Sequence, residues 1–132
     1  MRTVFINGCF DVLHRGHIEM LQYAASLGSI LIVAIDSDVR VKKLKGEQRP
    51  FNTLEDRKFV LSSIGCVDKV LSFSTEKELE QLIKKINPDI MVIGSDWKHK
   101  PAVGSEYAKE LKYFERIKKY STTKILQNSF DR

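Results

Sequence analysis

The sequence predicts an α/β fold built on a parallel sheet flanked by helices. Short apolar runs alternate with segments of helical period, the pattern of strands joined by crossover helices. Interior runs such as Ile30–Ile35 are continuously apolar, as strands covered on both faces are. The glycine-, aspartate- and histidine-bearing segments follow strands, where open α/β sheets bind ligands. The 132 residues suit one core, and residues 1–132 are expected to form a single domain.

Thr3–Asn7 is the first predicted strand. Gly16–Leu27 carries Ile18, Leu21, Ala24 and Ala25 at helical spacing and stops at Gly28. Ile30–Ile35 is the second strand, and Ser37–Leu44 suits a short helix. Thr53 caps a further helix running to about Ile64, with Asp56 at its third position. Val67–Phe73 is a strand; Glu76–Ile86 is a helix that Asn87-Pro88 ends; Asp89–Ile93 is the next strand. A long loop, Gly94–Gly104, contains Asp96-Trp97, and a short helix follows Ser105. Leu111–Ile117 is expected as a last strand, the alternative being a continued helix, and Ser121–Asn128 as a closing helix.

Composition narrows the class. Apolar residues make up 42% and charged residues 30%, ordinary for a globular protein. No apolar run is long enough to span a bilayer, and Met1–Ile6 enters a strand without a secretory h-region, so a cytoplasmic protein with no membrane partner is expected. The two cysteines, Cys9 and Cys66, form neither a CxxC pair nor a disulfide framework; both read as reduced thiols, Cys66 buried. The net charge of +5 favours anionic ligands. Its lysines are scattered rather than run in a block, so no nucleic-acid partner is expected.

Gly8-Cys9-Phe10-Asp11-Val12-Leu13-His14-Arg15-Gly16-His17 carries the chemistry. His14 and His17, three apart at a helix entrance, can face one side. The amides that start the helix favour an anion, and Gly16 lets a phosphate approach the backbone. Neither G-x-G-x-x-G nor G-x-x-x-x-G-K-[ST] occurs, so the dehydrogenase and P-loop solutions are excluded. A zinc site usually needs three or four ligands, and His99 is the one remaining histidine, so no metal held by side chains is expected.

This string resembles the signature of the HxGH nucleotidylyltransferases, above all their cytidylyltransferase-like branch. Ser121-Thr122-Thr123-Lys124-Ile125 is similar to that family's [I/C]-S-T-T-x-I motif at the far end of the chain. The resemblance implies a Rossmann-like sheet and transfer of a nucleoside monophosphate from a nucleoside triphosphate to a phosphorylated acceptor, with pyrophosphate released. Such an acceptor needs no general base, because a phosphate monoester is already dianionic near neutral pH, its second pKa being about 6. The requirement is to hold negative charge in place. By resemblance, His14 and His17 contact the triphosphate, Lys45 contacts phosphates, and Arg116 with Ser121 and Thr122 binds the β- and γ-phosphates. Asp11 holds the turn or orients a histidine. Gly8, Cys9, Phe10, Gly16, Gly94 and Thr123 complete the nucleotide site. Mg²⁺ accompanies the triphosphate, held by phosphate oxygens and water. A homodimer is implied by resemblance alone.

Two branches compete over the substrates. Leu44–Arg57 is similar to the K-G-x-x-R-P-x-N-x-x-x-R pattern of heptose 1-phosphate adenylyltransferases, which make ADP-heptose. G-C-F-D and Gly104-Ser105 also resemble that group, whose members are often fused to a sugar kinase domain. Asp96-Trp97, Arg116 and Lys124 instead resemble the CTP-using glycerol 3-phosphate cytidylyltransferases. ATP with a heptose phosphate is the leading expectation and CTP with glycerol 3-phosphate the alternative. Asp36, Asn52, Arg57, Asp96 and Trp97 are the expected acceptor contacts, Trp97 alternatively being a packing anchor. A non-catalytic nucleotide or RNA binder is the reading from another class; the full set of His14, His17, Lys45, Arg116 and Thr122 argues against it.

Overall fold

A computed structural model describes residues 2–94, 102–115 and 125–126. Five strands, β1 (Thr3–Gly8), β2 (Ile30–Asp36), β3 (Lys69–Phe73), β4 (Ile90–Gly94) and β5 (Glu110–Phe114), form one sheet in the order β3-β2-β1-β4-β5. Every neighbouring pair is parallel. The helices described are α1 (Arg15–Ser26), α2 (Asp38–Lys45), α3 (Leu54–Ser62) and α4 (Glu76–Ile86), with a 3₁₀ turn at Ser105–Tyr107. This is the Rossmann-like arrangement that the alternation predicts.

Side chains alternate across the sheet with the two-residue period of a strand. Val4 and Ile6 of β1 face the core shared with Leu21 and Ala24 of α1 and Leu61 of α3. Phe5, between them, faces the opposite core with Leu79 and Ile83 of α4. Both faces of β1 are therefore covered, which explains its unbroken apolar run.

Helix starts follow their caps. The side chains of Ser37, Thr53 and Thr75 accept the amides of Arg40, Asp56 and Glu78. At the far end of α4, Asn87 adopts φ 49°, a left-handed stop ahead of Pro88. Gly28, between α1 and β2, lies against the backbone: a β-carbon there would sit 2.6 Å from the Arg2 carbonyl oxygen.

The starts of the strands share a clamp. Asp89 donates its amide to Thr3 O at 2.9 Å, and its carboxylate accepts Thr3 N at 2.8 Å. Asp68 does the same with Leu31, at 3.0 and 2.7 Å. An aspartate just before β3 and another just before β4 thus pin those strands to the neighbour already laid down.

The extents of β3 and β5 and the burial of Cys66 differ from expectation. β3 begins at Lys69 rather than Val67, because the Val67 amide closes a turn onto Ile64 O. β5 spans Glu110–Phe114 rather than Leu111–Ile117, so the strand alternative holds through Phe114. Cys66 is half-buried rather than buried. The predicted closing helix Ser121–Asn128 lies outside the described residues except for Ile125 and Leu126, which are helical. Among the described residues no helix is long and apolar enough to cross a membrane.

Candidate active site

Gly8, Asp36 and Gly94 end β1, β2 and β4, and the strand order reverses between β1 and β4. The turn leaving β1 therefore sits at the switch point, where such sheets bind ligands. Phe10 and Val12 adopt φ 52° and 49° on either side of buried Asp11. A branched residue such as valine rarely takes that conformation, and each such residue costs about 1–3 kcal/mol. Strain of this kind persists where the surroundings over-determine it, and here they do.

Asp11 is the first constraint. Its carboxylate is 2% exposed and accepts the amides of Phe51 and, at 2.9 Å, Asn52. Arg49 Nε lies 3.9 Å from the same carboxylate. The loop between α2 and α3 is thereby clipped onto the turn that leads into α1.

The two histidines start α1 together. His14 is the N-cap, and its Nδ1 accepts Gly16 N at 3.0 Å. His17 Nδ1 reaches back to accept His14 N at 3.2 Å. This is a capping box made from imidazoles, with ring centroids 4.0 Å apart. A neutral ring whose Nδ1 accepts a hydrogen bond carries its proton on Nε2. Each Nε2 is then a donor suited to a phosphate oxygen. The first turn of α1 holds no acidic residue, whereas the first turns of α2, α3 and α4 all do. No carboxylate of that first turn therefore repels an anion at the helix start.

Arg57 departs from the expected acceptor contact. Its side chain is 1% exposed, and its donors are all turned inward. Nε meets Asn52 O at 3.1 Å, Nη1 meets Cys9 O at 3.0 Å and Asp36 O at 2.8 Å, and Nη2 meets Asp38 Oδ1 at 2.7 Å. One guanidinium thus ties the end of β1, the end of β2, the start of α2 and the α2–α3 loop. It is a positioning residue. Asp36, also expected at the acceptor, directs its carboxylate to Arg40 at 3.1 Å.

Lys45 ends α2 and is exposed. Burial pushes the Cys9 thiol up, while the charges of Lys45 and Arg57 pull the other way, so both cations lie within electrostatic reach of the β1 end. Gly8, Cys9, Phe10, Asp11, His14, Gly16, His17, Asn52 and Arg57 form one connected site. Asp96, Trp97, Arg116, Ser121, Thr122 and Thr123 lie outside the described residues. Sequence reasoning missed two participants, Asp38 and Arg49. Arg49 stands inside the K-G-x-x-R-P pattern and was open to notice; nothing in periodicity distinguishes Asp38.

Known proteins of matching sequence and fold are consistent with this geometry. The protein called bifunctional protein HldE in Helicobacter hepaticus is 47% identical over 127 residues, 96% of this chain and 26% of that protein. Its namesake in Campylobacter concisus is 46% identical over 130 residues, 98% and 27% respectively. The chain therefore spans about a quarter of the length of these relatives. A lipopolysaccharide core biosynthesis protein of Thermoplasma volcanium superposes with a TM-score of 0.69 at 23% identity, covering 89% of this chain and 97% of that one. Pantothenate synthetase of Thermus thermophilus gives 0.62 at 14%, covering 89% and 56%. These two likenesses show the fold alone. The family model described as cytidylyltransferase-like matches residues 5–128, and the chain belongs to that family.

Proposed function

We propose that this chain transfers a nucleoside monophosphate from a nucleoside triphosphate to a phosphorylated sugar, releasing pyrophosphate, and that ATP and heptose 1-phosphate are its substrates. The observation that carries the reading is the imidazole capping box at a helix start, in which both Nδ1 atoms accept backbone amides, so that each neutral ring carries its proton on Nε2. An acceptor phosphate oxygen attacks the α-phosphorus. A bond from phosphorus to acceptor oxygen forms, the bond to the bridging oxygen of the β-phosphate breaks, and that oxygen leaves with pyrophosphate. His14 and His17 donate to oxygens whose charge grows during this exchange. Gly16 and the α1 amides hold the anion, Lys45 adds a cation, and Arg57 keeps the strand ends in register. Arg116, Ser121 and Thr122 hold the distal phosphates, and Asp96 and Trp97 meet the acceptor.

Among the described residues no group of three His, Cys, Asp or Glu side chains could hold a metal ion. Mg²⁺, where bound, would be carried on triphosphate oxygens and water and would neutralise charge on the leaving group. ATP and heptose 1-phosphate are favoured by the Leu44–Arg57 segment and by relatives at 46–47% identity across nearly the whole chain. Asp96-Trp97, Arg116 and Lys124 support CTP and glycerol 3-phosphate as the second reading. A cytoplasmic homodimer belongs to the proposal, its stoichiometry open to sedimentation equilibrium.

The test is pyrophosphate release with ATP or CTP, each paired with heptose 1-phosphate or glycerol 3-phosphate, in the presence of Mg²⁺. Turnover confined to ATP and the heptose phosphate is the expected result. Turnover confined to CTP and glycerol phosphate would move specificity to the second set of residues. Salt-sensitive RNA binding without pyrophosphate release in any pairing would favour a binding protein instead.

A further inference from the structure

Two arginines stand in this site, and they are held differently. Arg57 closes on its carboxylate at 2.7 Å and has carbonyl acceptors for its other donors. Arg49 does not close. Its side chain is 14% exposed, yet Nε stays 3.9 Å from Asp11 Oδ2, beyond hydrogen-bond distance. Arg49 Nε is buried and has no hydrogen-bond partner. A guanidinium serving only as counter-ion to Asp11 would form the short paired contacts typical of arginine and carboxylate. Both Asp11 oxygens instead accept amides of the two residues that follow Pro50, Phe51 and Asn52. Asp11 therefore anchors the backbone of the loop and leaves Arg49 Nε beside it without an acceptor. A buried donor lacking an acceptor is costly, and such groups occur where a ligand completes them.

We propose that Arg49 is a further phosphate-binding residue of the site, its guanidinium taking oxygens of a substrate phosphate next to the His14–His17 turn. Asp11 stands three residues before His14, so the loop carrying Arg49 is clipped to the turn that holds the reacting phosphates. The planar fork of arginine matches two phosphate oxygens at once, which an ammonium does not. The phosphate comes either from the acceptor or from the triphosphate. The inference rests on the transferase reading, and the experiment below separates the two.

Arg49→Lys and Arg49→Gln are compared with the wild type for KM of each substrate, kcat and Tm. KM for one phosphate substrate is expected to rise about tenfold to a hundredfold in Arg49→Gln, the scale of one charge-assisted hydrogen bond. A smaller rise is expected in Arg49→Lys, with kcat less affected and Tm near wild type. Added guanidinium ion should recover part of the loss in Arg49→Gln. A rise for the sugar phosphate assigns Arg49 to the acceptor, and a rise for ATP assigns it to the triphosphate. Unchanged KM values for both, with only Tm lowered, would overturn the proposal and leave Arg49 a counter-ion. If the wild type releases no pyrophosphate with any pairing, thermal shifts with ATP and with inorganic phosphate decide. A Tm rise in the wild type that Arg49→Gln lacks supports the binding role without the transferase reading. Equal rises, or none in either protein, would sink it.

Discussion

At the scale of single residues, the unusual economy of this site is that the groups expected to do chemistry also hold the backbone. His14 and His17 satisfy two amides at the start of α1. Replacing either by Ala therefore removes a cap as well as the proposed phosphate contact, and a stability loss of about 1 kcal/mol is expected. His14→Asn separates the two roles, since asparagine caps helices well. It should keep Tm near wild type while kcat falls roughly 10²–10⁴-fold, the scale of losing a transition-state contact. Wild-type turnover in that variant would show that His14 is only a cap. Arg57→Ala leaves the carbonyls of Cys9, Asp36 and Asn52 without their donor. A loss of about 3 kcal/mol or more is expected in urea unfolding, and a loss under about 1 kcal/mol would contradict the keystone role. The histidine pair was legible from spacing. The inward turn of Arg57 was not, because a sequence does not say whether an arginine on a helix meets solvent or carbonyls from three other segments.

At the scale of elements, most of the chain was legible because helix and strand starts are written in local chemistry. Ser37, Thr53 and Thr75 each stand one residue before a helix and cap it. Less legible were the ends of β3 and β5, which depend on register with a neighbour rather than on their own residues. The aspartate clamps at the strand starts belong to the same class. Asp89 illustrates their consequence for acid stability. Its carboxyl is held below the usual range, first by the Thr3 amide and then by Lys109 at 3.0 Å. A depressed folded pKa stabilises the fold above the ordinary carboxylate value, about 3.9. That contribution is lost as pH falls through the folded value. Wild type should therefore exceed Asp89→Asn in urea midpoint at neutral pH, and the two should converge as pH drops into the acid range. A gap that stays constant with pH would contradict the clamp.

At the scale of the whole molecule, the excess of cations suits the proposed substrates, which are all anions. The net charge of +5 raises the local concentration of a triphosphate. The ratio kcat/KM for ATP should fall severalfold as ionic strength rises from near zero to roughly 0.15 M, where the screening length is about 8 Å. A flat response would mean that only buried contacts matter. The fold class was legible at this scale from the alternation of strands and helices, and the strand order was not, since Val4 and Ile32 read alike whichever strand lies between them. That order also governs how the protein is made. β1 is the first of the five strands to be made and the one that ends up central. β2 and β3 can pair on one side of it early, but its other edge waits for β4, whose first residue is Ile90. At about 5–20 residues per second, that wait is on the order of ten seconds. Throughout it the nascent chain carries an uncovered row of backbone donors and acceptors along Val4–Ile6, the kind of edge other chains pair with. The half that holds the histidine turn is thus born sticky, and its need for protection ends only when β4 arrives.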